Sequence, residues 1–147
     1  MLQTTDIQLA SELRTVITRL VKKLRKNSTT GMTLSLTERS TMSLLDEHGE
    51  LLPTELASME KITNQSMSQI LNHLEELGYI HRRVSKQDKR KSIITLSHRG
   101  LTVLKQVRSE RDNWLYEAID QSCSVNEIKT LKKAIEPLRR LVDFENR

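Results

Sequence analysis

A chain of 147 residues with 36% hydrophobic and 29% charged side chains has enough apolar material for one domain with its own core, and too much for a disordered chain. Aromatic residues make up only 3%, so Leu, Ile, Val and Met must build that core, and the net charge of +5 points to an acidic partner without identifying one. A membrane span of ~20 apolar residues is absent, MLQTTDIQLASEL lacks the basic-then-apolar pattern of a signal peptide, and one cysteine excludes an internal disulfide, which sets the expectation of a cytoplasmic protein.

Leu13, Ile17, Leu20 and Leu24 recur at helical spacing and predict an amphipathic helix over roughly Ile7 to Lys26. NSTTGM, Asn27 to Met32, breaks it with turn residues. Ser35 stands three residues before Glu38, a capping box that opens a helix through Leu44, Leu45 and Asp46, and HGE closes it. Pro53 suits the first position of a short third helix, PTELASME. Thr63 caps a fourth, which Gly78 stops, with Met67, Ile70, Leu71, Leu74 and Leu77 as its apolar face. The period then changes. YIHRRV and SIITLS read as two β-strands joined by the polar loop SKQDKRK. Ser97 is placed to cap a long helix through Leu101, Leu104, Trp114, Leu115 and Ile119. A last helix carries Ile128, Leu131, Ile135, Leu138 and Val142 in a heptad-like seam, which Pro137 should kink or end near Glu136.

This order predicts a mainly α fold with a small β-wing, a winged helix-turn-helix lobe over residues 33–100 within a single domain of residues 1–147. The helical segments 5–27 and 101–145 are left with apolar stripes and no evident partner in so small a chain. Burying Leu131, Ile135, Leu138 and Val142 against a second copy, together with part of the first helix, is the economical solution. The expected assembly is a homodimer.

An enzyme is not expected. There is no glycine-rich phosphate loop, and Gly31, Gly49, Gly78 and Gly100 read as turn or cap residues. His48, His73, His81 and His98 are scattered without paired metal-ligand spacing, so neither a metal nor a cofactor is expected. Cys123, at the junction of the last two helices, reads as a small buried apolar residue in preference to a redox switch.

The fourth helix is more informative. From Ile62 to Leu74 it has no charged side chain, although eight acids lie between Leu36 and Glu76. Its non-core positions are Asn64, Gln65, Ser66, Ser68, Gln69, Asn72 and His73. Ordinary helix surfaces use Glu and Lys, whereas amides and hydroxyls are the groups that read base edges in a major groove. The loop region HRRVSKQDKRKS supplies the charge, with Arg82, Arg83, Lys86, Lys89, Arg90 and Lys91 around one acid, Asp88. Asp88 is two positions before Arg90, close enough to accept its guanidinium and direct it; the bland alternative is an acid that only relieves like-charge repulsion. Ser35 and Thr37, where the second helix opens, complete the candidate DNA-binding set.

LSLTERSTMSLL, TELASMEKITNQSMSQILNHLEELGYIHR and SKQDKRKSIITLSHRG resemble the winged-helix core of MarR-type bacterial transcription regulators. The resemblance is carried by Leu56-Ala57, Leu74-Glu75, Gly78-Tyr79-Ile80, Arg82, Asp88-Lys89-Arg90, Leu96-Ser97 and Gly100, about half the chain at motif level. The family's usual threonine before the fifth helix is serine here. The resemblance implies a cytoplasmic homodimer on a palindromic operator of double-stranded DNA, commonly a repressor, with Arg90 inserting into a minor groove and Asp88 orienting it. It also implies release by a small-molecule effector bound between the dimer helices and the DNA-binding lobe, for which Arg14, Ile17, Met42, Trp114 and Tyr116 are the candidates. Redox sensing in the family generally uses a cysteine near the N-terminus, which this chain lacks. The alternative function is a winged-helix module that binds protein or RNA through the same surface.

Overall fold

Helix α1 spans Thr4–Lys26 in the computed structural model, which describes residues 4–145. A 3-10 turn at Thr30–Thr33 separates it from α2, Leu36–His48. The chain continues through α3 (Pro53–Glu60) and α4 (Asn64–Glu76), then α5 (His98–Ser122) and α6 (Val125–Val142). The strands are β1 (Glu50–Leu51), β2 (Ile80–Val84) and β3 (Ser92–Leu96). The chain divides into two units, Met1–Arg111 and Asp112–Arg147.

In the first unit, helix starts follow side-chain chemistry. Ser35 Oγ accepts from Glu38 N–H at 3.0 Å while Glu38 Oε1 accepts from Ser35 N–H at 2.9 Å, so two otherwise orphaned donors of α2 are satisfied. Pro53 opens α3, where its missing N–H costs nothing. Thr63 Oγ1 accepts from Ser66 N–H at 3.0 Å to start α4. Below the exposed face of α4, Met67, Leu71 and Leu74 are wholly buried against Met42, Leu45, Leu56 and Ile94. Each such side chain contributes about 1.5–3 kcal/mol by leaving water, so this layer fixes which face of α4 stays outside.

The wing has one strand more than expected. Ile80 to Val84 pair antiparallel with Leu96 to Ser92, as the alternation predicts. Glu50, read from the sequence within the HGE that closes a helix, and Leu51, given no element there, pair with Thr95 and Ile94 and make the sheet three-stranded in the order β1-β3-β2. Gly49, at φ +82°, turns the chain out of α2 and into that strand. Leu51 is thereby buried in the core.

A second correction concerns Gly100. It is not a turn residue but lies in the first turn of α5, where a Cβ would stand 2.1 Å from the Tyr79 carbonyl oxygen. Ser97 makes the surrounding joint. Its N–H donates to Tyr79 O at 2.9 Å, its hydroxyl donates to Gly78 O at 2.6 Å, and the same oxygen accepts Gly100 N–H at 2.9 Å. Gly78, at φ +78°, reverses the chain after α4. The end of α4, the wing base and α5 therefore meet within one hydrogen-bonded knot, which accounts physically for Gly78, Ser97 and Gly100.

The second unit holds the C-terminal part of α5 and the whole of α6. Ser124 caps α6 in a reciprocal box with Glu127, a signal the sequence reading passed over. None of its described residues is fully buried. Leu131, Ile135 and Val142 are 45%, 51% and 83% exposed, Leu138 is half-buried, and Cys123 is half-buried instead of buried. Of the two outcomes expected at Pro137, a kink or an end near Glu136, the end does not occur: α6 runs through Pro137 to Val142. The proline removes one ladder hydrogen bond without ending the helix.

Candidate nucleic-acid interface

Helix α4 carries Asn64, Gln65, Ser66, Ser68, Gln69, Asn72 and His73 on its exposed side, all seven away from the core. Three of them are tied down within the lobe. His73 Nδ1 pairs with Glu38 Oε2, fastening α4 to the start of α2. Burial pushes the Glu38 carboxyl up, but hydrogen bonds from Ser35 and His73 outweigh it and hold it below its usual range. Asn72 Oδ1 accepts from Arg82 Nη2 at 2.7 Å, and Arg82 Nε stands 3.4 Å from Glu75, so strand β2 braces the end of α4. Ser66 Oγ accepts from Thr63 Oγ1 at 2.9 Å. Gln65, Ser68 and Gln69 make no side-chain hydrogen bond among the described residues, leaving their donors and acceptors for an incoming ligand.

An open groove of about 350 Å³ runs between α2 and α4 and is lined by Ser35, Glu38, Ser66, Gln69, Ile70 and His73. Four residues singled out in the sequence thus share one surface. Thr37, half-buried, lies in the first turn of α2. The wing has its own surface, where Arg90, Lys91 and Ser92 line a groove of about 260 Å³ with Leu52, Pro53 and Thr54 at the start of α3. Thr54 had no signal in the sequence, because the wing residues it shares the groove with, Arg90, Lys91 and Ser92, come from 36 or more residues away.

Charge on the wing is divided. Arg83 Nη2 reaches across to Glu50 Oε1 at 2.6 Å and is locally neutralised. Lys86, Lys89 and Lys91 are exposed and form no ion pair among the described residues. Arg90 has a side chain 91% exposed, with Nε 3.3 Å from Asp88 Oδ1. The same carboxylate oxygen accepts the Arg90 backbone N–H at 3.0 Å, and Lys91 N–H donates to Asp88 O at 3.0 Å. Ser85 Oγ accepts from Gln87 and Asp88 N–H, each at 3.3 Å. Asp88 is therefore first a turn-former and second a guanidinium partner, and the backbone contact to Arg90 leads in holding its carboxyl below the usual range. Asp88 thus joins Ser85 in shaping the wing turn and gives the Arg90 guanidinium a carboxylate partner.

The effector candidates do not assemble so readily. Met42 is wholly buried in the lobe core and is unavailable to a ligand. Arg14 and Ile17 are exposed on α1 in the first unit. Trp114 and Tyr116 belong to the second, where Tyr116 borders an apolar cleft of about 370 Å³ with Ile119, Ile128, Leu131 and Ile135.

A helix with an uncharged polar face, held beside a basic β-wing on a three-helix core, defines a winged helix-turn-helix of the DNA-binding class. The model of the MarR family matches residues 34–92, and the likeness to transcriptional regulators extends beyond them. Relatives from Mycobacterium leprae and Mycobacterium bovis, each called an uncharacterized HTH-type transcriptional regulator, are 27% and 28% identical over 138 residues, covering 94% of this chain and 95% of theirs. A solved protein from Pseudomonas aeruginosa, described as a transcriptional regulator, is 27% identical with a TM-score of 0.86, over 98% of this chain and 100% of its own. A cysteine-to-serine mutant of Escherichia coli MarR, solved in complex with operator DNA, shares the fold at a TM-score of 0.65 and 16% identity, over 90% of this chain and 94% of its own.

Proposed function

We propose that this protein is a transcriptional regulator, acting in the cytoplasm as a homodimer that binds a palindromic operator through α4 and the wing and represses transcription until a small molecule releases it. The observation that carries the reading is the division of labour within the lobe. Uncharged amides and hydroxyls stand on the exposed side of α4, and lysines with no ion pair among the described residues stand on the wing. In this reading residues 33–100 grip the DNA, while 5–27 and 101–145 join the subunits. Gln65, Ser68 and Gln69 face base edges, and Asn64, Ser66, Asn72, Ser35 and Thr37 support them or touch phosphates. His73 and Arg82 hold α4 at its angle, Arg83 steadies the wing, and Lys86, Lys89 and Lys91 meet the backbone. Arg90 enters the minor groove, which is most negative where it is narrow.

Exposed apolar side chains favour the dimer. Val16, Ile17, Leu20 and Val21 on α1 and Leu131, Ile135 and Leu141 on α6 are each more than a third open to solvent. Each lobe alone would grip one half-site, and the second copy supplies the other. The complexed relative lends the DNA partner further support. Titration of a fluorescent duplex containing the operator tests the reading. Several lysine–phosphate contacts predict that affinity falls by about 10³-fold or more between 50 and 200 mM salt. A salt-insensitive interaction would point to a protein partner instead.

A further inference from the structure

Within the first unit, a cavity of about 180 Å³ between α2 and α5 is lined by Arg39, Ser40, Ser43, Leu104, Arg108 and Arg111, among others. Arg39 is only 5% exposed, yet its buried Nε and Nη2 have no hydrogen-bond partner among the described residues. Arg111, half-buried on α5, has the same two nitrogens buried and likewise unpartnered among those residues. In a guanidinium these two N–H groups point the same way and form the edge that grips two oxygens of a carboxylate or phosphate. Three carboxylates bonded to, or next in sequence to, lining residues are engaged elsewhere. Asp46 holds Arg108 at 2.8 Å, Glu60 accepts from Ser40 Oγ, and Glu110 accepts from Ser28 and Thr30 hydroxyls at 2.7 Å each. Burial, then the charge of Arg25, pull the Arg111 guanidinium below its usual range. One buried and one half-buried guanidinium, whose inner edges meet no partner among the described residues, are a costly arrangement unless something anionic joins them.

We propose that this cavity binds a small dianionic oxyanion, a phosphate monoester or a dicarboxylate, which Arg39 and Arg111 each hold by the Nε/Nη2 edge. Two uncompensated guanidiniums call for two negative charges; a monoanion would leave one unanswered. The volume is below the ~300 Å³ at which drug-sized pockets begin, so the ligand is small. Leu104 and Val107 offer it an apolar wall and Ser43 a hydroxyl. The proposal deepens the effector reading, and only its regulatory consequence rests on that reading. None of the five residues first considered for an effector lines this cavity.

Calorimetric titration of the full chain with inorganic phosphate and with succinate, at ionic strength fixed with potassium chloride, tests the site; acetate is the monoanion control. We expect saturable binding of one dianion per chain, at least tenfold tighter than acetate. Arg39→Gln and Arg111→Gln should each weaken it at least tenfold, while Lys61→Gln, at an exposed position outside the cavity, should leave it unchanged. Removing an unpaired buried charge should not lower the melting temperature of the anion-free protein, which separates lost binding from lost folding. Phosphate alone binding identifies the phosphate-ester class, and succinate alone the dicarboxylate class. The proposal is overturned if neither dianion exceeds acetate, as would happen if carboxylates of a second copy filled both edges, or if both glutamine variants bind like the parent. If the dianion binds but operator affinity is the same in its presence for parent and Arg39→Gln, the site stands and the effector reading fails.

Discussion

Replacing Gly100 with alanine sets two effects of opposite sign against each other. In a helix interior, Gly→Ala gains about 1 kcal/mol through the narrower unfolded ensemble. Against that, the new Cβ would lie 2.1 Å from Tyr79 O, more than an ångström inside ordinary contact, and 3.0 Å from Leu96 Cδ1. A backbone oxygen cannot swing aside as a flexible side chain does, so α5 and the β2 base must separate. Overpacking of this kind costs about 1–3 kcal/mol or more. Parting them also strains the Ser97 N–H to Tyr79 O bond, worth about 1 kcal/mol. The net expectation is a loss of about 1–3 kcal/mol, a sizeable part of the ~5–15 kcal/mol that holds a domain together. Urea denaturation followed by circular dichroism measures it, with Gly49→Ala as the comparison. Nothing lies within 4 Å of a Cβ at Gly49, and only its φ of +82° opposes the change. If Gly100→Ala proves as stable as the parent or more so, the knot between the α4 end, the wing and α5 is not as described.

Glu38→Ala should cost about 2–3 kcal/mol, because it leaves the Ser35 N–H without its acceptor and cuts the tie to His73. With its carboxyl held below the ordinary 4.5, Glu38 contributes stability that is present above that value and is lost as pH falls through the folded pKa; urea midpoints should therefore fall less on acidification in Glu38→Gln than in the parent. Glutamate at Leu131 and Leu138 should release monomers in sedimentation and abolish operator binding, whereas a stable parent monomer at micromolar concentration would contradict the dimer. Asp88→Ala should weaken operator binding despite the gained charge, and adding it to Arg90→Ala should change little. Tighter binding by Asp88→Ala would show that the acid only dilutes the patch.

Much of the scaffold was legible in the sequence because its signals are local. Ser35 with Glu38, Pro53, Thr63 and the alternating strands each reveal themselves within a few residues. Strand β1 did not, since two residues carry no periodicity and their pairing depends on β3 more than 40 residues later. Gly100 was misread for the same reason: a helix-start glycine looks like punctuation until Tyr79 O is seen against it. Pro137 marks a break by residue type, yet α6 continues past it. At the candidate interface, residue types were readable but availability was not. His73 and Arg83 looked as free as Gln69 and Lys86, and their partners Glu38 and Glu50 stand 35 and 33 residues away in the chain.

The central claim, that α4 reads bases while the wing supplies general attraction, is tested most directly by selecting bound sequences from random duplex DNA with the parent, Gln69→Ala and Lys86→Ala. Loss of a bidentate amide contact should relax preference at one base position in each half-site, by about 1–3 kcal/mol, and leave the rest of the motif intact. Lys86→Ala should select the parent motif with uniformly weaker binding and a shallower salt slope. An unchanged motif from Gln69→Ala, and likewise from Asn72→Ala, would contradict the placing of α4 in the major groove.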